Sequence, residues 1–152
     1  MLKINIRTKP IQKLRMKDVG DYFEATCPVE GGKHFCGKQV LVIHVAKMDN
    51  PDYEFLVALH EFIESYLLKR RRVDLKEIDE WEAKFLKEKD EGKRPKNAIA
   101  GEQKDCPYYQ EHKIAIKIEK KMARYLKVNW KKYDDYLAKL EENYDRRNQP
   151  KT

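Results

Sequence analysis

The chain reads as an α+β protein, a small N-terminal β-sheet followed by about four helices, and three observations carry that reading. Short alternating or β-branched runs occupy the first third, as in Leu2-Lys3-Ile4-Asn5-Ile6-Arg7 and in Gln39 to Ala46. From Pro51 onward, apolar residues recur at helical spacing instead. Between the two patterns stands Asp49-Asn50-Pro51, an Asx cap with proline in the first turn, which marks a helix start. The 152 residues suffice for one domain with its own core, and 145–152 are expected to be a disordered tail.

The elements follow in order. Leu2, Ile4 and Ile6 mark one face of a first strand, and Val19 to Thr26 forms a second, opened by Gly20 and Asp21. Residues 27–37 hold Pro28, Gly31, Gly32 and Gly37 and read as a hairpin loop. Gln39 to Ala46 is a well-covered strand, with His44 a structural residue on the face of Val40 and Val42. The first helix runs from Pro51 to about Arg72, its basic end suiting the helix dipole. Asp74-Leu75-Lys76-Glu77 is a capping box for a second helix to about Lys89, with Leu75, Ile78, Trp81 and Phe85 as inner stripe and Asp79 at its border. Residues 90–106 contain Gly92, Pro95 and Gly101 without periodicity, as in a mobile loop. A third helix spans Pro107 to about Lys127. A fourth spans Trp130 to about Tyr144, with Trp130, Tyr133, Leu137, Leu140 and Tyr144 at heptad-like spacing.

Composition narrows the classes. Charged residues make up 39% and hydrophobic residues 41%, and no run approaches the roughly 18 apolar residues of a membrane span. Three cysteines argue against a secreted disulfide framework, so a cytoplasmic location is expected. Cys27, His34 and Cys36, with Cys106 completing them only from afar, match no strong metal pattern, and the cysteines read as ordinary reduced ones. The net charge is +7, and Lys69-Arg70-Arg71-Arg72 forms a basic surface knot. Nucleic acid is a permitted partner but not the favoured one, because acids and bases interleave along the helices.

The first helix carries the chemistry. Leu56, Leu59, Ile63 and Leu67 form one stripe, with Phe55, Phe62 and Tyr66 beside it, so the helix should be largely buried. Yet His60, Glu61 and Glu64 fall within it, and each buried ionisable group needs a partner, a shifted pKa or a metal. His60 and Glu64 lie one turn apart on one face, the spacing at which two side chains grip one cation. Glu61 points away by ~100° and suits a general base acting on water. His112 on the third helix is the third ligand, and Glu119 faces the same way. Glu119 and Asp79 are outer partners or alternative ligands, Tyr108 or Tyr109 a hydroxyl donor to a transition state, and Glu111 should point outward if His112 points in. Zinc is the favoured ion for such a nitrogen and oxygen set, with manganese or iron as alternatives.

Val19-Gly20-Asp21, Val42 to Met48, Asp52 to Glu64, Pro107 to His112 and Ile118-Glu119 together resemble a family of small uncharacterised bacteriophage and prophage proteins. The resemblance covers about Val19 to Tyr136 and would place the protein in the cytoplasm of a bacterial host. His60-Glu61-Phe62-Ile63-Glu64 is similar to the active-site helix of zincin-type metallopeptidases, which implies a zincin-like core and a metal-dependent hydrolase. The chain departs from the zincin pattern at Glu64, where a second histidine is usual. Two alternatives stand beside it. One is a phage-encoded binding protein that captures a host protein or nucleotide. The other is an all-helical nucleotide pyrophosphohydrolase holding magnesium through Glu61, Glu64, Glu77, Asp79 and Glu80.

Overall fold

The computed structural model describes residues 3–15, 18–26 and 39–148. It is an α+β arrangement: a three-stranded sheet followed by four helices. Strand β1 (Ile4–Lys9) runs parallel to β3 (Gln39–Ala46), and β2 (Gly20–Thr26) runs antiparallel to it, so the long apolar strand sits in the middle. Every residue of β3 after Gln39 is buried, as expected of a central strand. His44 is among them, packed edge-on to Phe23. The loop expected over 27–37, with Cys27, His34 and Cys36, lies outside the described residues.

The face that Ile4 and Ile6 share is open. Ile4 and Ile6 are 38% and 53% exposed, so their shared face of β1 is not a core face. Period-two alternation tells which side chains share a face, not whether anything covers it. Here β1 is an edge strand.

Helix α1 (Pro51–Arg71) starts where Asn50 accepts a hydrogen bond from the Asp52 backbone, and it ends at Arg72 in the left-handed conformation. It is less enclosed than its sequence suggests: Leu56, Val57, Glu64, Ser65 and Leu68 are buried, whereas Phe55 and Tyr66 are exposed. The buried face therefore contains the carboxylate, not only the apolar stripes. Helix α2 (Leu75–Asp90) is capped by Asp74 and buries Ile78 and Phe85. Helix α3 (Tyr109–Tyr125) buries Glu111, Ala115, Glu119 and Ala123, and its two alanines let it lie close against α1. The two helices pack antiparallel, His60 meeting Glu119 and Arg71 meeting Glu111. Helix α4 (Trp130–Asn148) carries Tyr133 and Leu137 into the main core with Leu56, Ile43 and Val45. It runs past the start of the tail expected at 145.

The stretch between α2 and α3 is also better organised than a mobile loop. Arg94 lies over the rings of Trp81 and Phe85 and pairs with Glu88 at 2.6 Å and Asp105 at 2.8 Å. Lys89 bonds the Ala98 carbonyl, and a short 3-10 turn (Ala100–Glu102) brings Gly101 against α3. Cys106 is buried in the smaller core with Leu68, Ile78 and Tyr108, which pushes its thiol up to about 12.

Candidate functional site

Four elements converge on one polar cluster. His60 Nε2, His112 Nδ1 and Glu64 Oε2 form a triangle with edges of 3.1, 3.0 and 3.4 Å. The expectation that His60 and His112 meet is thereby met. Two of the triangle members have an outer support. His60 Nδ1 lies 2.8 Å from Glu119 Oε2, and the Tyr133 hydroxyl donates to the other oxygen of Glu119 at 2.5 Å. The Tyr22 hydroxyl donates to Glu64 Oε1 at 3.1 Å. Both carboxylates thus use both oxygens, and strand β2 and helices α1, α3 and α4 all contribute.

The triangle suits an ion. Tetrahedral zinc with bonds of about 2.1 Å holds its ligand atoms about 3.4 Å apart, close to the edges seen here. With His60 Nδ1 donating to Glu119, its Nε2 carries a lone pair toward Glu64 and His112. Lone pairs cannot converge at such distances unless protons or a cation lie among them. Among the described residues this is the one group of three ligating side chains close enough to hold a metal ion. Among the described residues, the buried His112 Nε2 finds no partner, so the ring keeps its triangle contacts at the expense of its other nitrogen.

The field of the site shifts its members apart. Burial opposes charge on Glu64, but hydrogen bonds from His112 and His60 outweigh it and hold the carboxyl below its ordinary value. Burial likewise disfavours the His60 cation, and the hydrogen bonds to Glu119 and Glu64 overcome it and raise the imidazole well above its usual range. Among the described residues, no hydrogen bond to Glu61 offsets its burial. Burial, then the Glu64 carboxylate, push it well above the usual carboxylate range. Its side chain lies against Gly20, and a Cβ at Gly20 would overlap its carboxylate. Gly101 stands to His112 as Gly20 does to Glu61: a Cβ there would overlap the imidazole ring. Two glycines from separate segments therefore make room for two side chains of the site.

All of this lines one cavity of about 440 Å³, walled by α2 on one side and α4 on the other. Tyr108 lines it, but its hydroxyl is engaged by Glu82 at 2.6 Å. Glu82 is pushed up to about 7 by burial and then, against the Tyr108 hydrogen bond, by Asp18, Glu64 and Asp79.

Several expected residues lie elsewhere. Tyr109 faces the smaller core and the ammonium of Lys113, because it sits about 100° around the helix from Tyr108. Asp79 borders the cavity but is held by Arg15 at 3.0 Å, so it is not a ligand of the triangle. Glu111 does not point outward; it is buried on the other flank of the α1–α3 contact and takes both hydrogen bonds from Arg71, at 2.7 and 2.8 Å. In the basic knot, Arg71 is thus committed inward and Lys69 pairs with Glu24 at 2.7 Å, leaving Arg70 and Arg72 as exposed charges. Glu77 and Glu80 are exposed on the outer side of α2, away from Glu61 and Glu64. Tyr22, Tyr133, Asp18 and Glu82 went unnoticed in the sequence. Only the heptad spacing of Tyr133 gave a signal, and that signal says core.

No family model matches the chain, and no curated protein and no solved structure does either. No helix among the described residues is long and apolar enough to cross a membrane.

Proposed function

We propose that the protein is a metal-dependent hydrolase of zincin-like type, in which His60, Glu64 and His112 hold one divalent ion, zinc before manganese or iron. The observation that carries this reading is the triangle of three ligating atoms, with Glu119 fixing the ring of His60 from behind. A carboxylate on the far nitrogen of a ligating histidine sets its tautomer and raises its basicity. The ion would supply Lewis acidity, lowering the pKa of a water and polarising a carbonyl.

The remaining chemistry belongs to the chain. Glu61 is the general base: it takes a proton from the attacking water and returns it to the leaving nitrogen or oxygen, so that water is added across the broken bond. Its raised basicity suits that task at neutral pH. Tyr108 is not free to donate to a transition state while Glu82 holds its hydroxyl. Tyr133 and Tyr22 orient Glu119 and Glu64. The substitution of a carboxylate at position 64 adds negative charge to the ligand set, which makes an ion-held water a weaker acid than in a two-imidazole site.

The test compares Glu61→Gln with His60→Ala for metal content, melting temperature and release of new amino termini from a mixed peptide pool. Glu61→Gln is expected to keep metal and stability and lose turnover. His60→Ala should lose metal and stability together, leaving Glu64 and Glu119 buried without their imidazole. Loss of metal in Glu61→Gln as severe as in His60→Ala would make Glu61 a ligand. Were neither variant to differ from the parent in metal or stability, the reading would fall in favour of a non-enzymatic binding protein.

A further inference from the structure

Glu64 is the one carboxylate of the triangle, and its two oxygens have different neighbours. Oε2 lies 3.0 Å from His112 Nδ1 and 3.4 Å from His60 Nε2. Oε1 accepts from the Tyr22 hydroxyl at 3.1 Å. That hydroxyl is delivered by a side chain with little freedom. Strand β2 pairs Tyr22 with Ile43 of the central strand, and the ring packs against both the main and the smaller core. Burial, and then the charge of Glu64, raise the phenol well above its ordinary value, so it keeps its proton and stays a donor.

A carboxylate can grip an ion through one oxygen or through both. One oxygen and two imidazole nitrogens are the three protein ligands of a tetrahedral zinc site with one position open. Both oxygens would make a larger and more oxygen-rich set, which suits manganese better. A hydrogen bond on Oε1 occupies the lone pair that the second metal bond would need. Glu119 shows the same arrangement one step further out. Its Oε1 accepts from Tyr133 and its Oε2 lies 2.8 Å from His60 Nδ1, so Glu119 supports a ligand and is not one.

We infer that Tyr22 is a positioning residue that sets the metal preference of the site: its hydroxyl holds Glu64 to one-oxygen binding and so selects zinc over manganese. This rests on the reading of the triangle as a metal site. It adds what the spacing of the triangle leaves open, the number of oxygens offered to the ion. Tyr22 acts through Glu64 and touches neither the ion nor a reacting atom.

The experiment titrates the chelator-stripped parent, Tyr22→Phe and Tyr133→Phe with zinc, manganese and cobalt(II), the last followed by visible absorption. A metal-free melting curve accompanies each protein. Phenylalanine keeps the ring in both cores and removes only the donor. In Tyr22→Phe the ratio of zinc to manganese affinity should fall about tenfold or more, and the cobalt bands should weaken as the coordination number rises. Tyr133→Phe leaves Glu64 untouched, so it should weaken both ions by like factors and keep the parent's band shape. An unchanged ratio and spectrum in Tyr22→Phe, or an equal fall of the ratio in Tyr133→Phe, would overturn the inference. A measurement on the parent alone needs no variant to fold. On zinc binding, the infrared gap between antisymmetric and symmetric carboxylate stretches should widen, as for one-oxygen binding, and a narrowed gap would also overturn it. A parent with tetrahedral zinc binding that Tyr22→Phe merely copies removes this inference alone. A parent that binds no ion removes the metal reading, and this inference with it.

Discussion

Glu111 and Glu64 are each 4% exposed, and both sit where α1 packs against α3, but they are neutralised in different ways. Glu111 receives two hydrogen bonds from the Arg71 guanidinium, which is permanently charged and half exposed. Glu64 has no guanidinium. Its partners are two imidazoles, whose charge depends on a proton, and a tyrosine hydroxyl. The first arrangement closes a helix contact and leaves nothing for a ligand to do. The second leaves lone pairs facing one another and an incomplete balance of charge. The same contrast holds between Asp21, held by Arg15 at 3.0 Å, and Glu61 or Glu82, which have no arginine and feel other acids instead. A buried carboxylate with an arginine is therefore architecture here, and a buried carboxylate without one belongs to the site.

The largest effect that would sharpen this comparison is on metal affinity. Gly101→Ala places a methyl group against the His112 ring and should lower zinc affinity by about 10–100-fold, as loss of a supporting contact does at other metal sites. The check is a zinc titration alongside a melting curve; unchanged affinity would mean that His112 does not need its present position. On the other flank, Arg71→Ala should destabilise the fold by about 2 kcal/mol, because Glu111 is left buried without its partner. The figure is below that for a fully buried pair because Arg71 is half exposed. Denaturant unfolding measures it, and zinc affinity should not move; a parallel loss of zinc binding would mean that the two flanks are not separate.

A pH-dependent effect belongs to Glu82. Its carboxyl is raised from 4.5 to about 7, so the fold favours the protonated form. The associated stability is fully present below pH 4.5 and is lost as pH rises through 7. Glu82→Gln should therefore melt like the parent near pH 4.5 and be more stable near pH 8, by up to about 3 kcal/mol. Equal melting temperatures at both pH values would show that Glu82 is solvated or already paired.

Much of the site could be read from the chain because buried charge is costly wherever it occurs. His60 and Glu64 stood out as one turn of an apolar helix, and His112 and Glu119 as polar breaks in the third. Their convergence needed only that α1 and α3 pack together. The tyrosines were not legible: Tyr22 in a strand and Tyr133 in a heptad stripe look like packing residues, and only the fold turns their hydroxyls toward Glu64 and Glu119. Adjacent helix positions were another blind spot. Choosing His112 as inward made Glu111 look outward, but a helix between two neighbours buries both flanks. Gly20 and Gly101 carried no visible reason for being glycine until their neighbours were known. The sheet was legible in its strand positions, but the exposure of Ile4 and Ile6 was not, since pattern does not say what lies opposite.

The central claim is that the triangle of His60, Glu64 and His112 is a metal site rather than a proton-bridged cluster. Cobalt(II) titration of the chelator-stripped protein, followed by visible absorption, tests it most directly, because the band intensity reports coordination geometry. The account predicts saturation at one ion per chain with the intense bands of a tetrahedral site, displaced by zinc and absent in His112→Ala. Weak octahedral bands, no saturation, or an unchanged spectrum in His112→Ala would contradict it.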